Sequence, residues 1–310
     1  MKVKKLIPQG YCKGVYNAIK ETLATKEKYP NEKIYILGLV IHNKLIKEEL
    51  EKLGIISLYS KEKSRIELLE NINEGIIILT AHGTDLELIK YIKSKNLKIV
   101  DTTCKYVSST YELIENELNN NHEVIYIGIH NHPEATATIS INRDKVHLIQ
   151  NKEEIINLNI KDKSPLITNQ TTLSKNQIND IYNEIIKHYP LARISNEQCD
   201  ATRLRQDAII NFNDDFDLII VVGDKLSNNS KQLYNLAKNK CEACLVESIL
   251  DLDINILKDK QYIGITSGAS TPSSITNQIY EFISNFDTDN KKTHIKPEIN
   301  YKNILKEFKK

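Results

Sequence analysis

The chain has 310 residues, a formal net charge of +1 and nearly equal numbers of acidic and basic residues. This length allows two or three domains with large cores, and the balanced charge excludes a general attraction to nucleic acid or to membrane surfaces. No apolar run approaches the roughly 18 residues of a membrane span, and the first residues lack an apolar secretion segment. We therefore expect a soluble, cytoplasmic protein.

Short apolar runs alternate with amphipathic stretches along the chain. Seven Ile- and Val-rich runs predict buried strands: KIYILG, EGIIILT, LKIVDTT, EVIYIG, SPLIT, DLIIVVG and QYIGIT. Between them, segments such as YELIENELNNN and NQINDIYNEIIKHY have helical periodicity. Continuous apolar strands in alternation with helices are typical of parallel sheets, so the sequence predicts an α/β fold.

Residues that can bind metals or ligands recur at matched distances along the chain. Cys12, Cys104 and Cys199 are spaced 92 and 95 residues apart. Each cysteine is followed, after 26, 24 and 24 residues, by the glycine that ends a predicted strand: Gly38, Gly128 and Gly223. A later predicted strand ends in a threonine 68, 64 and 67 residues after its cysteine: Thr80, Thr168 and Thr266. This repeat predicts three similar α/β units, and ligands of parallel sheets bind beyond the carboxyl ends of strands. We expect the three polar edges to meet around one site.

Each of the three spaced cysteines is predicted at a strand-to-helix junction, where the helix N-terminus stabilises a thiolate. Three converging thiolates suit an iron–sulfur cluster or zinc. A four-iron cluster with three cysteine ligands would leave one iron open to a substrate. The alternative is three separate buried cysteines. Cys241 and Cys244 form a C-x-x-C outside the repeat, which we interpret as a structural pair rather than a redox or zinc site.

Polar side chains follow the strand ends of all three units. They are His42, Asn43, His82, His132, Glu134, Thr171, Thr172, Ser227, Asn228, Asn229 and Ser270. Neutral donors in this number suit a compact anion such as a diphosphate, although a histidine at a strand end is often only a helix cap. His122, His147, His188 and His294 fall outside the repeat and are interpreted as surface residues; His130 stays open.

Nine segments resemble, in chain order, the motifs of the 4-hydroxy-3-methylbut-2-enyl diphosphate reductase family. They are GYCKGV, GLVIHN, TAHGT, DTTCKYV, HPE, NQTTLS, CDATRLRQ, VVGDKLSNNS and GASTP, and the resemblance runs from about residue 3 to 285. Two segments differ from the usual family pattern. ATAT follows HPE in place of Val-x-Gly, and Asn228 stands where serine is common.

The resemblance implies an iron–sulfur oxidoreductase that performs the last step of the methylerythritol phosphate pathway of isoprene biosynthesis. It would reductively dehydroxylate its allylic diphosphate to isopentenyl and dimethylallyl diphosphates, with electrons from an external donor such as ferredoxin or flavodoxin. Its one 4Fe-4S cluster would have three cysteine ligands and one open iron site. The resemblance implies that Cys12, Cys104 and Cys199 bind the cluster and that Glu134 and Thr171 form the proton relay. The implied diphosphate site consists of His42, His82, His132, Thr171, Ser227, Asn228, Asn229 and Ser270.

Two other functions remain open on the sequence alone. One is a non-redox iron–sulfur or zinc hydro-lyase acting on a small phosphorylated substrate, and the other is a non-enzymatic metal-binding or scaffold protein. The predicted units are residues 13–103, 104–198 and 199–283, the last joined by an N-terminal strand within residues 1–12. Residues 284–310, with lysine pairs at 291–292 and 309–310, are expected to form a solvated tail.

Overall fold

The structure is a computed structural model of the chain and describes residues 1–41, 43–60, 62–195, 197–212, 215–299 and 304–308. Strands within these ranges are β1 (Lys2–Lys5), β2 (Ile34–Leu37), β3 (Ile55–Leu58), β4 (Ile76–Leu79), β5 (Lys98–Asp101), β6 (Val124–Ile127), β7 (Val146–Ile149), β8 (Leu166–Asn169), β9 (Arg193–Ile194), β10 (Leu218–Val222), β11 (Glu242–Val246) and β12 (Tyr262–Ser267).

Helices separate these strands. The α-helices are α1 (Lys13–Lys28), α2 (Lys44–Lys52), α3 (Arg65–Leu69), α4 (Leu86–Ser94), α5 (Lys105–Asn119), α6 (Pro133–Ile139), α7 (Lys175–His188), α8 (Asp200–Ile210), α9 (Asn228–Lys238) and α10 (Ser273–Ser284). Short 3₁₀ turns cover Lys152–Asn157, Ile249–Asp251, Ile254–Leu257, Lys291–His294 and Lys306–Phe308. Within the described ranges, no helix combines the length and apolar character that a bilayer crossing requires.

The described strands form three sheets of the same plan. Their orders are β3-β2-β4-β5, β7-β6-β8-β9 and β11-β10-β12-β1, and the strand pairs are parallel. The N-terminal strand β1 occupies in the third sheet the edge position that β5 and β9 occupy in the other two. The predicted α/β fold with three similar parallel units is confirmed.

Helices cover both faces of the sheets, which is why the strands have continuous apolar runs. In β10, Leu218, Ile220 and Val222 pack in a cluster with residues of α10, whereas Ile219 and Val221 pack in a second cluster with residues of α8 and α9. All five side chains are fully buried. Each such burial contributes about 1.5–3 kcal/mol, so the sheets provide rigid supports for the loops at their carboxyl ends.

The chain divides into two compact units. The first contains residues 1–16, 41–53 and 200–310 and holds the sheet with β1, β10, β11 and β12; the second contains residues 17–40 and 54–199 and holds the other two sheets. The boundaries of the three predicted α/β units stay a prediction.

The C-terminal segment differs from the solvated tail expected from the sequence. Lys291 and Lys292 are exposed as expected, but Ile304, Leu305 and Phe308 are buried. The Phe308 ring lies 5.3 Å from the ring of Tyr11 and 4.9 Å from that of Tyr16, between centroids. The expectation was wrong for this part because it rested on the lysine pairs and gave no weight to three apolar side chains that are buried. Lys309 and Lys310 lie outside the described residues.

Candidate active site

The three spaced cysteines each stand directly before a helix, as predicted. Cys12 precedes α1, Cys104 is the N-cap residue of α5, and Cys199 precedes α8. All three cysteines are outside any disulfide bond and are partly exposed. The N–H of Val15, in the first turn of α1, donates to Cys12 Sγ at 3.4 Å. Free N–H groups at a helix N-terminus stabilise the thiolate form, which is the form that binds metals.

The Cys12 loop is fixed within the first compact unit. The Cys12 N–H donates to the Ala269 carbonyl at 2.9 Å, and the Gly10 N–H donates to Ser267 Oγ at 3.0 Å. Gly10 has φ +76°, and a Cβ there would lie 2.3 Å from Ser273 Oγ, so only glycine fits. The buried Arg205 of α8 donates to the Gly10 carbonyl at 2.7 Å. The loop is therefore attached to both the end of β12 and α8.

Cys104 and Cys199 are fixed in the second compact unit. The Cys104 N–H donates to the Ala81 carbonyl at 3.0 Å, beside His82. The Cys199 N–H donates to the Thr171 carbonyl at 3.2 Å. Each cysteine is thus held next to a residue of the predicted polar set. No three His, Cys, Asp or Glu side chains in the described ranges form a group that could hold a metal ion, and shared ligation by the three cysteines stays a prediction.

Glu134 and Thr171 are in direct contact. Glu134 lies in the first turn of α6 and is 2% exposed, and Thr171 is 4% exposed. The Thr171 N–H donates to Glu134 Oε1 at 2.8 Å, and Thr171 Oγ1 lies 3.1 Å from Glu134 Oε2. Burial raises the pKa of Glu134 to about 7, against the opposing hydrogen bonds from Thr171 and Tyr126. A carboxyl group that titrates near neutral pH suits proton transfer.

The segment after Glu134, where the sequence departs from the family pattern, continues as helix α6. Ala135 and Ala137 are buried, and Thr138 Oγ1 donates to the Glu134 carbonyl at 2.8 Å. These small side chains allow α6 to pack closely over its sheet. Substitution of the usual pattern by ATAT therefore leaves Glu134 in regular helix geometry.

His132 and His82 lie side by side in the second compact unit. Their ring centroids are 5.9 Å apart with an edge-to-face angle of 83°. The Glu134 N–H donates to His132 Nδ1 at 3.2 Å, so this nitrogen is the acceptor and Nε2 carries the proton of the neutral ring. Gly83, with φ +86°, follows His82, and a Cβ there would lie 1.9 Å from the Tyr111 hydroxyl. His132 thus presents an N–H donor on the ring edge away from α6.

The remaining polar candidates belong to the first compact unit. Asn43 caps α2 and its amide Nδ2 donates to the Ser270 carbonyl at 3.1 Å. Ser227 caps α9, so Asn228 and Asn229 form the first turn of this helix. Asn229 is 6% exposed, and neither of its amide atoms has a hydrogen-bond partner among the described residues. A buried amide of this kind costs free energy unless a ligand pairs with it. His42 lies outside the described residues.

The residues that the repeat left out have structural partners. The ring nitrogens of His122, His130 and His147 lie 2.9, 3.0 and 2.7 Å from carboxylate oxygens of Asp162, Glu154 and Glu123. His188 lies 3.7 Å from Glu184, and His294 stacks on Phe286. His188 is exposed and His122, His147 and His294 are partly exposed, in agreement with the surface interpretation.

Cys241 and Cys244 lie against different faces of their sheet. Cys241 packs with the cluster on the α8 and α9 side, and Cys244 of β11 packs with the cluster on the α10 side. Burial raises the pKa of Cys244 to about 12 and also raises that of Cys241. Two neutral thiols on opposite faces suit the predicted structural role.

Three residues of the site were missed by sequence reasoning. Arg205 was visible within CDATRLRQ, but no spacing rule linked it to Gly10. Tyr126 is buried beside Glu134, and its hydroxyl donates to Glu134 Oε1 at 3.4 Å. Tyr111 is half-buried, with its hydroxyl inside the protein near Glu134. Tyr126 is inside an apolar strand run, where an aromatic residue ordinarily indicates only core packing.

The family described as LytB protein matches residues 3–284. The chain belongs to this family. A relative from Anoxybacillus flavithermus, named 4-hydroxy-3-methylbut-2-enyl diphosphate reductase, is 38% identical over 297 residues, which cover 94% of this chain and 93% of the relative. The family resemblance recognised from nine motifs is confirmed.

Solved structures agree with this family assignment. The E-1-hydroxy-2-methyl-but-2-enyl-4-diphosphate reductase of Plasmodium falciparum superposes with a TM-score of 0.85 at 29% identity, covering 100% of this chain and 99% of that one. A second structure, of (E)-4-hydroxy-3-methyl-but-2-enyl diphosphate reductase, the terminal enzyme of the non-mevalonate pathway, has a TM-score of 0.65 at 27% identity and covers 92% and 100%. The three-sheet architecture is therefore that of the LytB fold.

Proposed function

We propose that this LytB chain is an oxidoreductase, a 4-hydroxy-3-methylbut-2-enyl diphosphate reductase that acts in the last step of its isoprenoid pathway. The names of relatives that match nearly the full chain support this activity. The observation that carries the proposal within the molecule is the contact between Glu134 and Thr171. It combines the Glu134 carboxyl group, whose pKa is raised to about 7, with the Thr171 hydroxyl. The backbone carbonyl of Thr171 in turn accepts from the Cys199 N–H.

The cysteines fit an iron–sulfur centre. Cys12, Cys104 and Cys199 are partly exposed and not disulfide-bonded, and each stands at a helix N-terminus that favours the thiolate. They would hold one 4Fe-4S cluster with a fourth iron left open. When bound, such a cluster supplies electrons and a Lewis-acidic iron. These electrons would come from an external carrier such as ferredoxin or flavodoxin, in the cytoplasm.

The neutral polar side chains bind the diphosphate of the substrate. The proposed set is His42, His82, His132, Thr171, Ser227, Asn228, Asn229 and Ser270. Two observations support it: His132 presents an Nε2–H donor, and the buried amide of Asn229 is unpaired in the described part of the chain. Such donors form hydrogen bonds to phosphate oxygens. The N-terminus of α9, capped by Ser227, carries the positive end of the helix dipole, which attracts the negatively charged diphosphate.

Glu134 supplies protons to the reaction. Replacing the allylic hydroxyl with hydrogen consumes two electrons and two protons and releases water. Glu134 is protonated below about pH 7, and Thr171 Oγ1 is the polar atom that receives its proton and passes it onward. The burial of both residues excludes bulk water from this transfer.

Substitution of Thr171 by valine tests this proposal. Valine keeps the shape and the backbone N–H that binds Glu134 Oε1 but removes the hydroxyl. We expect turnover to fall by about 100- to 10,000-fold with unchanged iron content. Thr110→Val is a matched control, since it removes another buried hydroxyl of the same unit, which binds the Tyr106 carbonyl. Turnover of Thr171→Val close to that of the control would contradict the relay.

The competing function, a non-redox hydro-lyase, uses no electrons. The reductase names of the relatives do not favour it. Electron consumption by the purified protein separates the two functions.

A further inference from the structure

Tyr126 carries a hydroxyl into an otherwise apolar part of the second compact unit. The residue lies in β6 between aliphatic neighbours and is fully buried. Its ring packs with Ile114 of α5 and with Ala135 of α6. A buried phenol hydroxyl costs free energy unless it is hydrogen-bonded. The hydroxyl donates to Glu134 Oε1 at 3.4 Å and also interacts with the Thr138 side chain. The polar end of this core residue is thus directed at the proposed proton donor.

The two oxygens of Glu134 have different surroundings. Oε1 accepts from the Thr171 N–H at 2.8 Å and from the Tyr126 hydroxyl. Oε2 accepts from the Thr171 Oγ1 hydroxyl at 3.1 Å, and this hydroxyl can turn to accept when Oε2 is protonated. A backbone N–H is always a donor, whereas a hydroxyl can donate or accept. With two donors directed at Oε1, the proton of the neutral acid belongs on Oε2, from which it can be donated to Thr171 Oγ1.

We propose that Tyr126 is a positioning residue, whose hydroxyl donates to Glu134 Oε1 and so fixes the carboxyl group with its transferable proton on Oε2, facing Thr171. This role rests on the proposed function. Tyr126 does not touch the substrate in this account; it acts through Glu134. Without the hydroxyl, Oε1 keeps one donor instead of two, and the proton is held on Oε2 less firmly.

The groups around the pair are compatible with this role. Thr138 Oγ1, on α6, is bonded to the Glu134 carbonyl. Tyr111 approaches from α5, and its buried hydroxyl lacks a partner in the described ranges. His132 caps α6, with His82 beside it. Burial, together with the nearby charge of Glu134, raises the pKa of Tyr126 well above its ordinary value. The phenol therefore stays protonated, and so remains a donor, around neutral pH.

Tyr126→Phe removes the hydroxyl and keeps the ring in the core. We expect kcat to fall by about 5- to 50-fold, with KM, affinity for inorganic diphosphate and iron content unchanged. The lost hydrogen bond favoured the ionised carboxylate, so the pKa of Glu134 should rise in this variant. The high-pH limb of the kcat profile should therefore shift to higher pH. Tyr182→Phe is the matched control: this tyrosine is buried in the same unit, but its hydroxyl donates to Asn169 Oδ1 at 2.7 Å.

An infrared titration gives a readout that does not depend on turnover. The carboxyl C=O band of Glu134 is obtained as the difference from the Glu134→Gln protein, in parent and Tyr126→Phe backgrounds. A titration displaced to higher pH in Tyr126→Phe, but not in Tyr182→Phe, supports the positioning role. Identical titrations and identical kcat in Tyr126→Phe and parent would overturn it. A parent protein that makes no product would instead refute the proposed reaction, while the infrared titration would still decide the Tyr126 contact.

Discussion

The substitution Glu134→Gln separates the proton-transfer role of this residue from its structural role. Glutamine retains the size of the side chain and can still accept from the Thr171 N–H, but it cannot release a proton at neutral pH. We expect turnover to fall by about 100- to 10,000-fold, with an intact cluster and near-normal substrate affinity. If Glu134 were only a helix-turn residue, glutamine would serve nearly as well.

The same substitution has a calculable effect on stability. The pKa of Glu134 rises from 4.5 to about 7 on folding because the carboxyl group is buried. The folded protein therefore binds more protons than the unfolded chain between these values, and its stability falls as pH rises through this window. The difference of about 2.5 pKa units corresponds to about 3 kcal/mol, of which about 2.5 kcal/mol is lost between pH 5 and pH 8. Glutamine has no such dependence.

Chemical denaturation at pH 5 and pH 8 measures this effect. The free energy of unfolding of the parent, relative to Glu134→Gln, should fall by about 2.5 kcal/mol between the two pH values. Glu67→Gln is the control: Glu67 is an exposed carboxylate of the same unit, and hydrogen bonds from Ser64 lower its pKa. The control should follow the parent. A parent and Glu134→Gln that change in parallel would refute the argument that Glu134 is buried with a pKa near 7.

Further predictions concern the metal, the anion and the loop that carries Cys12. Cys199→Ser should remove iron and activity together, because three ligands leave none spare. Cys244→Ser should keep iron near the parent level. The reverse pattern in iron analysis would show the ligand assignment to be wrong. Asn229→Ala should weaken inorganic diphosphate binding about 10- to 100-fold in calorimetry, and Asn239→Ala at the other end of α9 should not. Arg205→Ala breaks the hydrogen bonds to the Gly10 and Ala201 carbonyls, so denaturation should show a free energy of unfolding lower by about 2 to 3 kcal/mol. Iron counting should also show reduced iron retention.

Continuous apolar runs made most of the sheet strands predictable. All seven predicted runs contain a strand of the structure, and each glycine of the repeat follows its strand directly. Strands β3, β7, β9 and β11 were not among the seven predicted runs, because their residues are partly exposed and carry a weaker apolar signal. Strand β1 was expected only from the family resemblance. Its pairing with β12, about 260 residues away in the chain, is a long-range contact that no local pattern encodes.

The site was predictable to the extent that its residues follow strands or precede helices. Glu134, Thr171 and His132 were found in this way, and the structure brings them together in one unit. Tyr126 and Arg205 could not be found, because their roles depend on which polar atom their side chains reach across the fold. The buried C-terminal segment was missed for a similar reason. Its three apolar residues are too few to predict burial, and nothing local predicts that the Phe308 ring packs on the rings of Tyr11 and Tyr16.

Electron stoichiometry tests the central claim most directly. The chain, purified without oxygen and reconstituted with iron and sulfide, is given a measured quantity of reduced one-electron donor together with 4-hydroxy-3-methylbut-2-enyl diphosphate. The account predicts two electrons consumed for each molecule of isopentenyl or dimethylallyl diphosphate formed. Conversion of the substrate without electron consumption, or the same electron consumption and product yield from Cys199→Ser, would contradict it.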